Sequence, residues 1–229
     1  MSNLRSNHIL MHFCFKLLVL IKITILVAQA SEFNDLIDEM NYVKLVWNLD
    51  DPDYSEGGKN WDGLCKDGKS QSPVDIEIDR IADLQTAYLT HDFPDVKDTS
   101  LLYRHDKLDT TYTDGGLTYK IDDKELKWKT IQFHFHAPSE HHVNGKQYAA
   151  EMHFRTHLLN NDSEILTLAI FLQEDNDTDD NPFFEELELK TLNQTNQTIH
   201  LHGVNITNFF EPLKGSNILK YKGSRTRPP

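Results

Sequence analysis

Residues 127–136 read KWKTIQFHFH, a stretch in which polar and apolar side chains alternate. Successive residues of a β-strand point to opposite faces of the sheet, so side chains two positions apart share a face. One face is predicted to carry Trp128, Thr130, Gln132, His134 and His136, and the other Ile131, Phe133 and Phe135. The stretch therefore predicts a strand with an apolar face and a polar face that presents two imidazoles.

A second alternating stretch, AAEMHFRTH, covers residues 149–157. Its polar face is predicted to carry Glu151, His153, Arg155 and His157. An antiparallel pairing through a tight turn at residues 144–145 would set His153 opposite His134 and His136. Three neutral imidazole nitrogens with an open fourth position are the ligand set of a catalytic zinc site. The two strands together predict such a site.

Two histidines two residues apart can also arise by chance, because the chain contains 12 histidines. His200 and His202 form such a pair without a third candidate ligand nearby, and we expect them on the surface. The first pair differs, because Gln132 and Glu151 each lie two residues before a candidate ligand on the same face. Side chains of this kind accept the outward N–H of a metal-bound imidazole and fix its tautomer.

The composition is that of a soluble globular domain. The 229 residues include 38% hydrophobic and 26% charged side chains without visible repeats, which excludes collagen-like, coiled-coil and low-complexity classes. Acidic residues outnumber basic ones by 36 to 23, a net charge of −13. We therefore expect no nucleic-acid partner and no membrane binding through a basic surface. The composition leaves the oligomeric state open.

Further short alternating or β-branched stretches predict that the middle of the chain is a β-sheet. They lie at residues 101–103, 117–121 and 165–172, beside the two stretches described above. Residues 183–192 predict a short acidic helix. No internal linker indicates a second domain.

The first thirty residues have the composition of a secretory signal peptide. A basic residue precedes an apolar stretch over residues 13–27, and residues 28–30, AQA, match the A-x-A cleavage pattern. We expect cleavage after Ala30, so that residues 1–30 are a signal peptide and residues 31–229 form the domain, in the secretory pathway or outside the cell. A signal anchor is the alternative, but two lysines interrupt the apolar stretch.

Five N-x-S/T sequons favour secretion and predict a glycoprotein. They begin at Asn161, Asn176, Asn193, Asn196 and Asn205. Cys14 lies within the predicted signal peptide, which leaves Cys65 alone in a chain bound for an oxidising compartment. We expect Cys65 to pair with another chain or with a cysteine outside this sequence.

Residues 132–141, QFHFHAPSEH, and residues 148–153, YAAEMH, resemble the zinc-site signature of the α-class carbonic anhydrases. Residues 57–61 and 71–76 resemble that family's N-terminal segment, and residues 221–229 its substrate-side loop. The resemblance implies one mainly β domain on a large, mostly antiparallel twisted sheet with short helices. It also implies zinc-dependent, reversible hydration of carbon dioxide to bicarbonate and a proton.

The resemblance also assigns roles to individual residues. It implies that Zn²⁺ is held by His134, His136 and His153, with Gln132 and Glu151 supporting the ligands from behind. It further implies that Thr226 accepts the hydrogen bond of the attacking hydroxide and donates its own to Glu140. The threonine and the glutamate would thereby orient the hydroxide for attack.

The sequence departs from the family pattern around the predicted pocket. The wall beside the metal carries polar residues where the family has mostly aliphatic or small ones: Arg155, Thr167, Arg225 and Arg227. Cations there favour the binding of anions, including bicarbonate or inhibitors. Gly116 stands at the expected place of the proton-shuttle histidine, so proton export would depend on buffer or another residue. His157 lies one residue beyond the usual spacing, which predicts a slip or bulge in its strand.

The family pattern continues past Pro229, so we expect a domain that lacks its last strands and, with them, the partner of Cys65. A truncated gene model is favoured over a natural short form. Two functions from different classes are predicted: a zinc carbonic anhydrase, which is a zinc lyase, or a binding module that keeps the zinc site with impaired catalysis. The three ligands favour the enzyme and the arginines favour the module, whereas a generic zinc hydrolase lacks a substrate-groove motif.

Overall fold

The computed structural model describes part of the chain in detail. The described residues are 23–30, 59, 61–80, 88–104, 107–121, 124–173, 181–192, 194, 196–210, 213 and 217–226. Mainly β structure fills these ranges, as the alternation patterns predict. None of the helices within them is both long enough and apolar enough to cross a membrane.

The long strands form one twisted sheet. Its strands are β1 (Ile23–Ala30), β3 (Tyr88–Asp92), β4 (Val96–Tyr103), β5 (Leu108–Thr111), β6 (Gly116–Ile121), β7 (Lys124–His136), β10 (Ala150–Leu158), β11 (Asn161–Leu172), β12 (Thr198–Val204) and β13 (Asn217–Lys222). They are ordered β12-β4-β5-β7-β10-β11-β1-β13, and β6 joins β3 to β7. Within this sheet the described pairings are antiparallel except for β1 with β13. The predicted fold class is confirmed.

A small second sheet lies beside the large one. It consists of β2 (Asp75–Ile76), β8 (His142–Val143) and β9 (Lys146–Gln147). The turn between β8 and β9 is the tight turn predicted at residues 144–145, and both residues have positive φ, 48° and 75°. A two-residue hairpin of this kind needs that backbone conformation, which Asn and Gly adopt readily.

The described helices are short. They are α1 (Leu64–Asp67), α2 (Pro182–Glu186) and α3 (Ile206–Phe210), with 3₁₀ turns at Ile78–Arg80 and Leu189–Thr191. Asn181 begins α2, because its side chain accepts a hydrogen bond from the backbone N–H of Phe183. The single helix predicted over residues 183–192 is therefore only partly correct. Glu188, with φ of 51°, separates α2 from the following 3₁₀ turn.

The main apolar core lies on the sheet face opposite the predicted ligands. Phe154 on β10 is fully buried there, with its ring centroid 4.6 Å from that of Phe93 and 5.2 Å from that of Phe210. Phe133 on β7 belongs to the same cluster, and α2 and α3 cover it. Alternation on β7 and β10 thus sends phenylalanines to the core and imidazoles to the other face.

A register shift between β7 and β10 overturns one expectation. Arg155 pairs with Gln132, but the next residue, Thr156, pairs with Thr130, so that Ile131 is skipped. Because β7 has one extra residue here, the side chains before Ile131 point to the face opposite to the one that simple alternation predicts. Thr130 and Trp128 therefore lie on the core face, where both are buried, and the prediction that they share the histidine face is wrong. The irregularity predicted near His157 is confirmed, although the skipped residue belongs to the neighbouring strand.

The segment predicted to end the signal peptide occupies a position inside the large sheet. Strand β1 pairs antiparallel with β11, from Thr24 opposite Ile170 to Ala30 opposite Glu164. On its other side it pairs in parallel with β13. Both neighbours would lose this pairing if the chain were cleaved after Ala30.

Cys65 lies on the short helix α1 and is half-buried, without a disulfide partner among the described residues. Its backbone carbonyl accepts a hydrogen bond of 3.2 Å from the side chain of Gln71. Burial raises the pKa of the Cys65 thiol, although the charge of Arg225 acts in the opposite direction. Cys14 lies outside the described residues.

Candidate metal centre

The register of β7 and β10 brings the three predicted ligands together. His153 pairs with His134, and the neighbouring cross-strand pair is Glu151 with His136. Directly opposed residues share a face of the sheet, so the three imidazoles lie on one side of it. Their ring centroids are separated by 4.9 to 5.0 Å. This is the arrangement that the spacing of the histidines predicts.

The nitrogen positions fit a metal ion. One ligand nitrogen from each of the three rings lies within 4.8 Å of the others, and Nε2 of His134 is 3.2 Å from Nδ1 of His153. Tetrahedral zinc with Zn–N distances of about 2.0–2.1 Å keeps two ligand nitrogens about 3.4 Å apart. Nε2 of His136 is buried without a hydrogen-bond partner among the described atoms. Such an atom is costly unless it binds something, so the set fits zinc.

The surroundings of two of the three imidazoles lower their pKa values, which favours the neutral form that binds a metal ion. Burial, together with the neighbouring histidines, lowers the pKa of His134 and that of His136 well below the ordinary value for histidine. Both rings are therefore neutral near pH 7, which leaves their lone pairs free to coordinate a metal. Burial alone would also lower the pKa of His153, but the carboxylate of Glu151 outweighs it and raises that pKa.

Two polar side chains, Gln132 and Glu151, contact the candidate ligands. Glu151 Oε1 lies 2.7 Å from Nε2 of His153, which leaves Nδ1 of that ring for the metal. Gln132 Nε2 lies 3.0 Å from Nδ1 of His134. A 180° rotation of the amide sets its oxygen there instead, where it accepts the Nδ1–H proton of a metal-bound ring.

The carboxylate of Glu151 is completely buried and fully engaged. Oε2 accepts hydrogen bonds of 2.9 Å from the backbone N–H groups of Glu140 and His141, and Oε1 is 2.6 Å from Nδ1 of His141. Burial by itself raises the pKa of Glu151, but His153 and these hydrogen bonds hold it well below its usual value. His141, Glu151 and His153 form a second possible ligand set. The oxygens of Glu151 already accept several hydrogen bonds, so the set of three histidines is the better metal site.

A chain of hydrogen bonds leads from this carboxylate to the C-terminal segment. Nε2 of His141 is 2.6 Å from the hydroxyl of Tyr221, which is 2.6 Å from Oγ of Ser72. The backbone N–H of Ser224 donates to the same serine oxygen at 3.1 Å. Sequence reasoning assigned no role to these residues. His141 lies directly after Glu140 in the quoted motif, and its complete burial is the signal that only the structure provides.

The catalytic pair named from the resemblance is also brought to the centre. Glu140 Oε2 is 3.4 Å from Nε2 of His136. Burial raises the pKa of Glu140, while His153 and a hydrogen bond from the Thr226 side chain lower it in part. Thr226 is half-buried and lies two residues after Ser224. The hydrogen-bond chain described above therefore holds the segment that carries Thr226.

The residues predicted to line the pocket wall lie in different parts of the structure. Arg155 and Thr167 are directly opposed on β10 and β11, in the cross-strand row next to His153. Arg225 is exposed on the segment after β13, and its charge, after burial, contributes to lowering the pKa of Arg155. Arg227 lies outside the described residues.

Gly116 does not lie beside the imidazoles. It begins β6 opposite Lys129, whereas the histidines occupy the end of β7. A Cβ atom at Gly116 would meet the carbonyl oxygen of Trp128 at 2.0 Å, so no larger side chain fits there. Lys107 is one cation near the centre, since its charge contributes to the lowered pKa of His134.

Comparison with known proteins identifies the family. The sequence model of the family described as eukaryotic-type carbonic anhydrase matches residues 56–229. Alpha carbonic anhydrase 2 of Arabidopsis thaliana is 26% identical over 165 residues, which are 68% of this chain and 64% of the relative. The chain spans between 32% and 64% of the length of these curated relatives.

Two solved structures share the fold. A fungal alpha carbonic anhydrase from Aspergillus oryzae has a TM-score of 0.54 and 22% identity, covering 77% of this chain and 79% of its own. Dioscorin complexed with ascorbate has a TM-score of 0.54 and 18% identity, covering 77% of this chain and 85% of its own. Because the family match covers most of the sequence and includes all three imidazoles, the chain belongs to the eukaryotic-type, α-class carbonic anhydrase family.

Proposed function

We propose that this chain is a zinc-dependent carbonic anhydrase, a lyase that interconverts carbon dioxide with bicarbonate and a proton. The observation that carries the proposal is the convergence of three buried imidazole nitrogens from His134, His136 and His153. Membership of the family supports it. Zinc bound by three neutral imidazoles makes its water acidic near pH 7, as is known for carbonic anhydrases.

The residues around the ligands have separable tasks in this proposal. Glu151 holds Nε2 of His153 in a hydrogen bond, which would leave Nδ1 of that ring to bind zinc. In this proposal the Thr226 hydroxyl donates a hydrogen bond to Glu140. The Thr226 oxygen can then only accept a further hydrogen bond. A nucleophilic O–H that donates to this oxygen is fixed in orientation, with a lone pair free to face the substrate carbon.

A binding module with impaired catalysis is the second candidate. The observation that favours it is the pair of arginines at the pocket wall, where Arg155 is half-buried next to the ligand row. Dioscorin, a protein of the same fold, has been solved in complex with ascorbate. In this reading the zinc site would serve ligand binding, and carbon dioxide would not be turned over.

Stopped-flow carbon dioxide hydration, with zinc content measured on the same sample, tests the proposal. We expect about one zinc per chain and turnover, both abolished in His134→Ala because two imidazoles leave the metal weakly held. His202→Ala, which removes an exposed histidine, is the matched control and should behave as the wild type. Stoichiometric zinc without turnover would refute the enzyme and leave the binding module.

We further propose that the chain is secreted, cleaved after Ala30 and glycosylated. Among the described sequons, Asn161 and Asn196 are exposed, whereas the side chain of Asn205 accepts a hydrogen bond from the N–H of Asn208 at the start of α3. Intact mass and N-terminal sequencing of the secreted protein should show Ser31 as the first residue. Enzymatic deglycosylation should reduce the mass, and an N-terminus at Met1 without glycans would contradict the proposal.

A further inference from the structure

Strand β12 forms one end of the large sheet. It pairs with β4 on one side, where five consecutive residues, Thr198 to His202, lie opposite residues of that strand. No strand among the described residues pairs with its other side. The backbone N–H and C=O groups that point outward from such an edge can pair with a strand of another molecule. The outer side of β12 therefore offers a second copy of the chain a place to add a strand.

The sequence of β12, TIHLHGV, lacks the residues that usually protect such an edge. Proline and lysine are common at protected edges, and this strand contains neither. Ile199 and Leu201 are buried. His200 and His202 lie on the exposed face. Nδ1 of His200 is 3.1 Å from Oγ of Ser100, a contact that ties the strand to β4. The edge is thus both held in place and uncharged when its histidines are neutral.

The N-x-S/T sequon that begins at Asn196 lies directly before this edge. The backbone N–H of Asn196 donates to the carbonyl of Tyr103 at 2.7 Å, and the N–H of Tyr103 donates to the carbonyl of Gln197 at 2.9 Å. These bonds hold the sequon beside the end of β4. Asn196 has φ of 65°, a conformation that asparagine adopts more readily than most residues. Asn196 and Thr198, whose hydroxyl completes the sequon, are both exposed.

We propose that Asn196 carries an N-linked glycan that covers the open edge of β12 and keeps a second copy of this chain from pairing with it. The inference rests on the proposed secretion and glycosylation, and it goes beyond them by assigning one sequon and its task. In the modification, the anomeric carbon of an oligosaccharide bonds to Nδ2 of Asn196 as its bond to the oxygen of a lipid diphosphate donor breaks. The lipid diphosphate and one proton from Nδ2 leave. The attached glycan is bulky and hydrated.

The symmetry of a dimer explains why a glycan at one end of the strand is sufficient. Two copies of β12 related by a two-fold axis run antiparallel, and each contributes the same surface. In the register that pairs Thr198 of each copy with His202 of the other, His200 lies opposite its own counterpart. Asn196 of each copy then lies opposite Val204 of the other. A glycan on both copies therefore blocks both ends of the pairing.

Matched substitutions at Thr198 test the proposal in the secreted protein. Thr198→Ala removes the sequon and Thr198→Ser keeps it, while both shorten the same exposed side chain and leave Asn196 in place. Peptide mass mapping should find the Asn196 glycan in the wild type and in Thr198→Ser, and not in Thr198→Ala. Sedimentation velocity should give a dimer dissociation constant that is lower in Thr198→Ala by about tenfold or more. Asn161→Gln, which removes an exposed sequon at the start of β11, should associate like the wild type.

A second substitution tests whether β12 is the interface. Adding His200→Lys to Thr198→Ala places two lysines opposite each other in the symmetric register, and like charges in that position oppose pairing. We expect the double variant to return to the association state of the wild type. Association that persists would place the contact elsewhere and overturn the proposal. If Thr198→Ala is not secreted, enzymatic deglycosylation of the folded wild type and of His200→Lys gives the same comparison.

The outcomes separate this proposal from those on which it rests. An unmodified Asn196 beside a glycosylated Asn161 would overturn the edge cover and leave glycosylation standing, whereas a secreted protein without any glycan would overturn both. Equal association of Thr198→Ala and the wild type, or of Thr198→Ala and Asn161→Gln, would contradict a specific role for the Asn196 glycan. Zinc content and turnover should be equal in all variants, because β4 and β5 separate β12 from β7. The enzyme assignment is therefore tested independently.

Discussion

At the residue scale, Glu151 is the buried group on which most of the centre depends. Its two oxygens contact both backbone N–H groups of the loop after β7 and the imidazoles of His141 and His153. A carboxylate buried without these partners would be costly, so each partner is also constrained by it. The residue therefore holds both a candidate metal ligand and the loop that carries Glu140.

Replacing this carboxylate by an amide tests that role. In Glu151→Gln we expect zinc affinity to fall by about 10- to 100-fold, because the amide keeps the shape but not the charge that orients His153. Competition with a chromophoric chelator measures the affinity. Glu125→Gln removes a carboxylate that is 50% exposed and should leave the affinity unchanged. Equal zinc affinity in all three proteins would contradict the role given to Glu151.

The role proposed for the hydroxyl of Thr226 is different, because none of the described hydrogen bonds joins it to the candidate ligands. In Thr226→Val we expect zinc content to stay the same and kcat/KM for hydration to fall about 100-fold, because the nucleophile loses its orientation. Thr198→Val, at an exposed position at the start of β12, serves as the control. A variant that keeps full activity would remove Thr226 from the mechanism.

Among the elements, strand β10 contributes one face to the main core and the other face to the candidate metal centre. Phe154 packs into the main core and the adjacent residue, His153, faces the metal centre. We expect Phe154→Ala to lower the free energy of unfolding by about 3–5 kcal/mol, because it leaves a large cavity among aromatic rings. Urea denaturation measures the change. Leu159→Ala, at a side chain that is 54% exposed, should cost little, and similar losses for both would argue against this core.

The register shift between β7 and β10 shows where a local pattern stops being informative. The alternation of residues 127–136 is uninterrupted in the sequence, yet skipping Ile131 moves Trp128 and Thr130 to the other face. Whether the pairing of two strands skips a residue depends on the partner strand and on the side chains needed to fill the core. Neither is encoded in the period of one strand.

At the scale of the whole molecule, charge is distributed unevenly. The chain has a net charge of −13, which predicts repulsion of anions over most of its surface. Cations nevertheless collect around the metal centre, where Lys107 and Arg155 both contribute to the lowered pKa of His134.

The position of β1 in the sheet gives a prediction for the molecule with and without its first thirty residues. In the full chain β1 pairs with β11 and β13. A chain that begins at Ser31 lacks this strand, so we expect faster amide hydrogen exchange in peptides covering residues 161–172. Peptides covering residues 124–136, which pair with other strands, are the internal control. Equal exchange in both proteins would mean that β1 does not protect β11.

The sequence alone predicted the type of fold, and it predicted that three imidazoles lie on one face of the sheet with Gln132 and Glu151 beside them. This was possible because a strand has a fixed period of two, which sorts ligands and core residues onto opposite faces, and because Gln132 and Glu151 repeat the same offset before a ligand. The tertiary structure alone decided the faces of Trp128 and Thr130, the place of Gly116, and the chain from His141 through Tyr221 to Ser72. These features join residues far apart in the sequence, and such contacts depend on how strands pair and pack rather than on any local period.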